Sequence, residues 1–274
     1  MTLSMKVPGA EYDAYESRVE ESLRKHWISN EMNNRPDVKT FIHDMEPDDR
    51  ACVVVGAGWT LDSNLEKLKT FDQSRYCLIA CDKVVPKLLP FWKPDYVVTL
   101  NATETDATKW LDFNSEGVRL VMPITVHPSA HENWKGEKVW VLPSNISQDL
   151  KEEFADRYDV DPIYRGTNSG FFALVVAGLL GCNPIAMIGM NLCLEGLGPE
   201  PAMGEWRVIT TDPFGNLVNT HLEWFSARTE LIELIERLEK NVGVTVFNCS
   251  EGGILYMPGL GLPLEKFREL RDDG

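Results

Sequence analysis

Residues 164–192, YRGTNSGFFALVVAGLLGCNPIAMIGMNL, place the most apolar run of the chain directly behind a polar turn. The apolar run, residues 171–180, is about half as long as the roughly 20 residues that a membrane-spanning helix needs. Gly181 ends the run, and Pro184 prevents a helix from continuing past it. The stretch therefore predicts a buried helix, followed by the buried strand PIAMIGMNL, and no membrane span.

Short apolar runs and helical patterns alternate on both sides of this stretch. The predicted strands are ACVVVGAG, YCLIACD, PDYVVTLNA, GVRLVMPI, EKVWVLP and VTVFNCSEGG, and the main predicted helices are LDSNLEKLKTF, SQDLKEEFADRY and HLEWFSARTELIELIERLEKN. A long glycine- and proline-rich loop is expected over residues 194–219. Val, Ile and Leu runs between helices are typical of a parallel sheet covered on both faces. The predicted fold class is α/β and Rossmann-like, with a mostly parallel sheet, helices on both faces and an N-terminal helical extension.

The N-terminal part of the chain has a different pattern. Apolar residues recur there at helical spacing, namely Tyr12, Tyr15, Val19, Leu23 and Trp27. This spacing predicts an amphipathic helix over residues 11–28, after which NNRPD and MEPDD indicate a linker. We therefore expect an N-terminal helical extension and linker over residues 1–49 and a single Rossmann-like nucleotide-binding domain over residues 50–274.

Composition favours a protein that handles small molecules. Hydrophobic residues make up 43% of the chain and charged residues 25%, as in ordinary globular proteins. The formal net charge of −15 argues against a nucleic-acid partner. The first residues lack the apolar segment of a secretory signal, so a cytoplasmic location is expected. The six cysteines form no CxxC pair, and we interpret them as reduced, buried small hydrophobes rather than as disulfides or zinc ligands.

Ligands of open parallel sheets lie outside the carboxyl ends of the strands, so the residues that follow each strand are the candidate site. Small or polar residues recur at these positions, and the candidates are Gly56, Ala57, Gly58, Trp59, Asp82, Asn101 and Asn191. The turn GAGWTL only partly matches a dinucleotide fingerprint, because Leu61 stands where the third glycine would be. The turn indicates either nucleotide contact or a plain strand-to-helix connection.

The polar turn GTNSG precedes the buried helix. Thr167, Asn168 and Ser169 are candidate N-caps, with Gly170 behind them. Free N–H groups at a helix start, together with the helix dipole, form an anion site. Capping alone is the alternative interpretation, and both remain open from the sequence.

Histidines supply the remaining candidates for chemistry. His221 stands at the end of the long loop and opens a helix, where it is a candidate general base or a structural residue. His127 and His131 have the spacing of a metal pair, but Pro128 lies between them and no third ligand is evident. The chain contains no GxxxxGK[ST], GxSxG or HExxH motif.

Several blocks occur in an order that resembles a known family. These blocks are VVVGAGWTLDSNLEKL, LIACDKVVPKLLPFWKPDYVVTLNA, GTNSGFFALVVAGLLGCNPIAMIGMNL, TTDPFGNLVNTHLEWFSAR and VFNCSEGGILY. They resemble the 6-hydroxymethylpterin diphosphokinase MptE-like family, which includes the Maf motility accessory factors thought to glycosylate flagellin. The spacing also resembles bacterial CMP-sialyltransferases with a Rossmann-like fold. The resemblance covers roughly residues 50–255.

This resemblance implies a nucleotide-binding transferase. The positions that it implies for nucleotide binding are Gly56, Gly58, Asp82, Asn101, Asn168, Ser169 and Gly170, and the histidine that it implies as base is His221. The chain departs from the pattern in three places. Trp59 and Thr60 replace a Pro-Ser pair, Cys193 and Leu194 occupy the region of a phosphate-binding tyrosine, and Asn101 replaces an acidic residue of the diphosphokinases.

Three functions follow as hypotheses. The first is transfer of a glycosyl group from a nucleotide-activated sugar of CMP type to a small-molecule or glycan acceptor, with His221 as general base and no required cofactor. The second is a Mg²⁺-dependent ATP diphosphokinase that acts on 6-hydroxymethyl-dihydropterin or a similar alcohol, with Asp82, Glu104 and Asp106 as metal ligands. The third is a non-catalytic nucleotide-binding protein. Self-association into a homo-oligomer is left open.

Overall fold

A computed structural model describes residues 9–104, 112–199 and 207–272 of the protein. The helices are α1 Gly9–Asn34, α2 Leu61–Leu68, α3 Val85–Leu88, α4 Gln148–Tyr158, α5 Ser169–Leu179, α6 Leu222–Arg237 and α7 Leu264–Asp272. The strands are β1 Ala51–Val55, β2 Tyr76–Cys81, β3 Tyr96–Val98, β4 Arg119–Pro123, β5 Lys138–Val141, β6 Ile185–Ile188, β7 Arg207–Thr211, β8 Leu217–His221 and β9 Val246–Asn248.

Seven strands form a sheet in the order β5-β4-β3-β2-β1-β6-β9. Strand β1 pairs in parallel with β2 on one edge and β6 on the other, and Val55 is in register with both Ala80 and Ile188. Every residue of β1 is fully buried, as expected for a central strand made of Ala, Cys and Val. The predicted α/β class, with its parallel sheet and N-terminal helix, is confirmed.

Helix α5 is the buried helix that the apolar run predicts. It packs over β1, β2 and β3, and Phe171, Phe172 and Leu174 are each at most 1% exposed. Burial of such side chains contributes about 1.5–3 kcal/mol each, so this helix is a main component of the core. Within the described ranges, no helix combines the length and apolar character that crossing a membrane would require.

The chain forms two compact units. The first comprises Met1–Asp44 and Thr99–Arg165, and the second comprises Met45–Val98 and Gly166–Gly274. The predicted domain boundary after residue 49 stays a prediction.

Helix α1 is fastened to the rest of the first unit by buried polar side chains. Asn30 and Asn34 donate to four main-chain carbonyls at 2.7–2.9 Å, those of Ala102, Ile124, Thr125 and Val126. Glu31 lies between them in sequence and accepts from Arg35 and from the Tyr158 hydroxyl. Burial acts to raise the pKa of Glu31, but these hydrogen bonds and the charge of Arg157 outweigh it and lower the pKa.

The segment expected to be a loop, residues 194–219, contains regular structure in the second unit. Strands β7 and β8 pair antiparallel, with Val208 in register with Thr220. The hairpin turn is closed by the Asp212 N–H, which donates to the Asn216 carbonyl at 2.9 Å. The expectation of a structureless loop was therefore wrong for residues 207–219. The missed signal was the β-branched content of RVITT, whose residues are all half-buried or exposed and so lack a core pattern.

Candidate functional site

The candidate site lies in the second unit, at the edge of the sheet where β1, β2, β6 and β9 end. Parallel strands bring their carboxyl ends to one edge, so the segments that follow them are neighbours. These segments are residues 56–60 after β1, Asp82 after β2, residues 189–194 after β6 and residues 249–254 after β9. The N-terminus of α5 lies at the same edge, because Gly170 in its first turn packs against Met190 in the segment after β6.

The glycine turn after β1 packs directly against the turn after β6. The Gly56 N–H donates to the Ile188 carbonyl at 2.9 Å, and the Gly58 N–H donates to the Gly189 carbonyl at 2.7 Å. A Cβ on Gly58 would lie 2.1 Å from Asn191 Oδ1 and 2.6 Å from Gly189 O. Close packing of two loops therefore explains both glycines, and both N–H groups are already hydrogen-bonded within the protein. Ala57, between them, is exposed.

Met190 connects the glycine turn to the polar turn before α5. Its Sδ lies 2.7 Å from where a Cβ on Gly56 would stand, and 2.4 Å from where a Cβ on Gly170 would stand. Both glycines leave room for the same thioether. The two turns that the sequence singled out, whose residues Gly56 and Gly170 are 114 positions apart, thus converge at one place in the second unit.

The start of helix α5 presents main-chain and side-chain donors. Asn168 is the N-cap, and its Oδ1 accepts from the Phe171 N–H at 3.0 Å. The N–H groups of Ser169 and Gly170 lie in the first turn and have no acceptor within the helix. Asn168 Nδ2 is buried and has no hydrogen-bond partner within the described residues. The helix start therefore combines the positive end of a dipole with an amide donor that is not engaged.

The side-chain amide of Asn191 is arranged like that of Asn168, with a bonded oxygen and an unbonded NH₂ group among the described residues. It is 1% exposed, and its Oδ1 accepts from the Thr60 N–H at 3.2 Å and from the Thr60 hydroxyl at 3.0 Å. A main-chain N–H can only donate, which identifies the accepting atom as the oxygen. Nδ2 is buried and has no partner within the described part of the chain. Asn191 was predicted from its position after a strand, but the unengaged amide is visible only in the structure.

Two residues after β9 belong to this edge and were not predicted. The Ser250 hydroxyl accepts from the Met190 N–H at 2.8 Å, and Ser250 is fully buried. Gly253 adopts φ +97°, and a Cβ there would lie 2.2 Å from the Asn191 carbonyl oxygen. Both residues support the turn that carries Asn191. The small residues of NCSEGG, at the end of the last predicted strand, were the available signal.

Asp82 and Trp59 occupy contrasting positions on this edge. Asp82 is 1% exposed, and its Oδ1 accepts from the Lys83 N–H at 2.8 Å. Burial, together with the charge of Asp82, raises the pKa of the preceding Cys81 thiol. Trp59 is 42% exposed, and its indole N–H donates to the Cys193 sulfur. A Cβ on Gly252 would lie 3.1 Å from the Trp59 ring, so the turn after β9 supports the indole.

His221 is the last residue of β8 and the N-cap position of α6, not the end of a loop. Its ring meets Trp224 edge-on, with ring centroids 4.3 Å apart. The preceding residue, Thr220, donates its hydroxyl to the Leu192 carbonyl at 2.6 Å. The hairpin therefore places His221 one residue from a contact with the segment that follows Asn191.

The remaining predicted residues belong to the first unit or lie outside the described residues. Asn101 and Glu104 belong to the first unit, and Asp106 lies outside the described residues. His127 Nδ1 is bonded to the Ser129 hydroxyl at 2.7 Å, and His131 Nε2 to Asn34 Oδ1 at 2.8 Å. These contacts give His127 and His131 local structural partners.

The fold and this edge define an α/β protein with a Rossmann-like parallel sheet and a candidate ligand site at its strand ends. The model of the 6-hydroxymethylpterin diphosphokinase MptE-like family matches residues 25–196, well over half of the chain. The protein belongs to this family, and the predicted family is confirmed.

Among solved structures, the Maf glycosyltransferase from Magnetospirillum magneticum AMB-1 has a similar fold, with a TM-score of 0.62 and 18% sequence identity. The alignment covers 85% of this chain and 38% of that chain, so the protein spans well under half the length of that structure. No curated protein matches the sequence.

Proposed function

We propose that the protein is a nucleotide-binding transferase that moves a glycosyl group from a nucleotide-activated sugar to an acceptor hydroxyl, with His221 as general base. Membership of the MptE-like family supports a nucleotide-related transferase. The likeness of fold to a Maf glycosyltransferase is consistent with the glycosyl reaction.

The unengaged amide groups of Asn168 and Asn191 are the observation that carries this proposal. Each amide is oriented by a main-chain N–H on its oxygen, so its NH₂ group is held in one direction. A buried donor without an acceptor costs about 1–3 kcal/mol. A ligand with several acceptor oxygens, such as the phosphate and ribose of a nucleotide, would remove this cost at both positions.

The phosphate is assigned to the start of helix α5. The Gly56 and Gly58 N–H groups donate to carbonyls of the neighbouring turn, so they are not the donors for a ligand. The N–H groups of Ser169 and Gly170 and the Asn168 NH₂ group are the alternative donors, and the helix dipole adds to their attraction for an anion. In the transfer step these donors would stabilise the charge on the departing nucleotide phosphate.

His221 is assigned the acceptor side of the reaction. Its neutral imidazole would take the proton of the acceptor hydroxyl as that oxygen attacks the anomeric carbon of the sugar. The edge-on contact with Trp224 holds the ring on the helix start, and the Thr220–Leu192 hydrogen bond keeps strand β8 beside the turn of Asn191. This route needs no metal cofactor.

A Mg²⁺-dependent ATP diphosphokinase that acts on a hydroxymethylpterin or a similar alcohol is the second candidate. The description of the family and the buried carboxylate of Asp82 at the end of β2 favour it. Asp82 would then serve as a metal ligand, and ATP would be the phosphoryl donor. An exposed Trp59 would suit stacking of the pterin ring.

Thermal unfolding with CMP, CTP, ATP and GTP, each with and without Mg²⁺, separates these functions. A nucleotide at about 100 times its dissociation constant should stabilise the protein by roughly 2.7 kcal/mol. Stabilisation by CMP without Mg²⁺ supports glycosyl transfer, and stabilisation that requires both ATP and Mg²⁺ supports the diphosphokinase. No response to any of the four nucleotides would contradict the nucleotide site. Binding without turnover of any nucleotide-sugar or pterin would indicate a non-catalytic protein.

A further inference from the structure

Three of the six cysteines form a compact group in the second unit. Cys52 on β1 is in register with Cys77 on β2, and Cys182 lies in the segment between α5 and β6. Their Sγ atoms all lie within 4.8 Å of one another, and all three residues are fully buried. Within the described part of the chain, no other group of three or more cysteine, histidine and acidic side chains is placed to share a metal ion.

The group lies at the opposite edge of the sheet from the candidate functional site. Cys52 and Cys77 are the second residues of their strands, so they belong to the amino ends. The Cys52 N–H donates to the Pro184 carbonyl at 2.9 Å, and the Cys182 N–H donates to the Ala177 carbonyl at 3.1 Å. Main-chain hydrogen bonds of the core therefore hold the three sulfurs together, independently of any nucleotide.

We propose that Cys52, Cys77 and Cys182 form a binding site for a single thiophilic d¹⁰ cation, Cu⁺ or Zn²⁺. Thiolate ligands select these ions over harder metals. On binding, each of the three thiols loses its proton to solvent, and three metal–sulfur bonds form without any change of oxidation state.

Charged groups beside the cluster fit this chemistry. The Asp48 carboxylate lies beside the Cys77 thiol and is paired with Arg50 at 2.7 Å. Arg50 pairs in addition with Asp95 at 2.9 Å, and its guanidinium keeps a positive charge next to the sulfurs.

The two ions differ in coordination number. Cu⁺ is satisfied by three thiolates, whereas structural Zn²⁺ is almost always four-coordinate, and within the described residues the group offers three ligands. Because the sulfurs are fully buried, the ion would enter during folding.

The test is to produce the full chain in medium supplemented with Cu⁺ or Zn²⁺, remove free metal, and measure bound metal and thiolate-to-metal absorption in the ultraviolet. We expect about one ion per chain. Cys182→Ala and Cys52→Ala should reduce the bound metal to background. The matched control is Cys249→Ala, which removes an equally buried cysteine outside the group.

Three results would overturn the proposal. The first is wild-type protein that carries neither metal above background. The second is a loss in Cys249→Ala equal to that in Cys182→Ala. The third is full binding by Cys182→Ser with an unchanged thermal unfolding curve, since serine preserves the shape of the side chain but is not a thiolate. The serine variant also keeps the test decisive if the alanine variants fail to fold.

Discussion

Asn191 accepts two hydrogen bonds from Thr60, one from its main-chain N–H at 3.2 Å and one from its hydroxyl at 3.0 Å. The two residues are 131 positions apart, and their contact fastens the turn after β1 to the turn after β6. It also directs the Asn191 NH₂ group away from Thr60, where it has no partner in the described structure. The candidate site therefore depends on an interaction between two loops.

Thr60→Val tests this contact. The substitution keeps the shape of the side chain and removes the hydroxyl donor, so it should lower the free energy of unfolding by about 1 kcal/mol. Under the proposed function it should also weaken nucleotide binding, because the Asn191 amide loses one of the two bonds that orient it. Chemical denaturation and nucleotide titration measure both effects. Thr60→Ser keeps the hydroxyl and is the control; an equal loss in both variants would show that the hydrogen bond is unimportant.

Gly58→Ala tests the close packing of the two turns. A Cβ at this position would lie 2.1 Å from Asn191 Oδ1, so the loops must separate, and we expect a destabilisation of about 2 kcal/mol or more. Gly261→Ala is the matched control, because a Cβ there meets nothing within 4 Å. Urea denaturation compares the two variants. Equal stability of both would contradict the packing described for Gly58.

Asn168→Ser separates capping from ligand binding. Serine is as good an N-cap as asparagine, so the free energy of unfolding should hardly change. The NH₂ donor is lost, and nucleotide affinity should fall by about tenfold or more, as for a hydrogen bond to a charged group. Asn168→Asp also retains the cap, but it adds a negative charge next to the phosphate and should weaken binding further. Unchanged affinity in both variants would remove Asn168 from the site.

His221→Ala should reduce glycosyl transfer by a factor of about 10²–10⁴, the usual contribution of a general base. Nucleotide binding should remain, because no nucleotide contact is assigned to this side chain. Turnover of a nucleotide-sugar and the thermal shift with the nucleotide are the two measurements. His26→Ala, at an exposed position of α1, is the matched control. Retained turnover in His221→Ala would make this histidine structural.

The lowered pKa of the buried His131 predicts that the protein loses stability in mild acid. Burial, and then the charge of Lys138, lowers the pKa of His131 to about 4, against the smaller opposing effect of Asp37. The unfolded chain takes up this proton near pH 6.5, while the folded protein does not until about pH 4. Stability should therefore fall as the pH decreases from about 6.5 to about 4, by at most about 3 kcal/mol.

Urea denaturation across this pH range measures the effect of His131. In His131→Gln the side chain can still donate to Asn34 but does not titrate, so the decline between pH 6.5 and 4 should be smaller than in the wild type. An identical pH dependence in the two proteins would exclude His131 as its source.

Several elements of the fold were predictable because their signals are local. The runs ACVVV and IAMI are strands of a buried parallel sheet, and residues 171–179 belong to a buried helix. Continuous apolar runs of this kind are stable only where the protein core removes them from water. The hairpin β7–β8 was missed, because no residue of β7 is buried and only Val218 and Thr220 of β8 are, which leaves no clear hydrophobic pattern. The positions of Gly56, Asn168 and Asn191 at strand and helix ends were also predictable, because function at such ends follows from the topology of parallel sheets.

The sequence by itself determined the family, the α/β class and the turns in which a ligand site would lie, because composition and short-range spacing specify strands, helices and their ends. Only the tertiary structure decided how those turns are used. It engages the Gly56 and Gly58 N–H groups with the end of β6 and the turn after it. Among the described residues it leaves the NH₂ groups of Asn168 and Asn191 without partners, and it gathers the sulfurs of Cys52, Cys77 and Cys182. These contacts join residues that are far apart in the chain. Strand register and loop packing determine them, and no local sequence pattern specifies either.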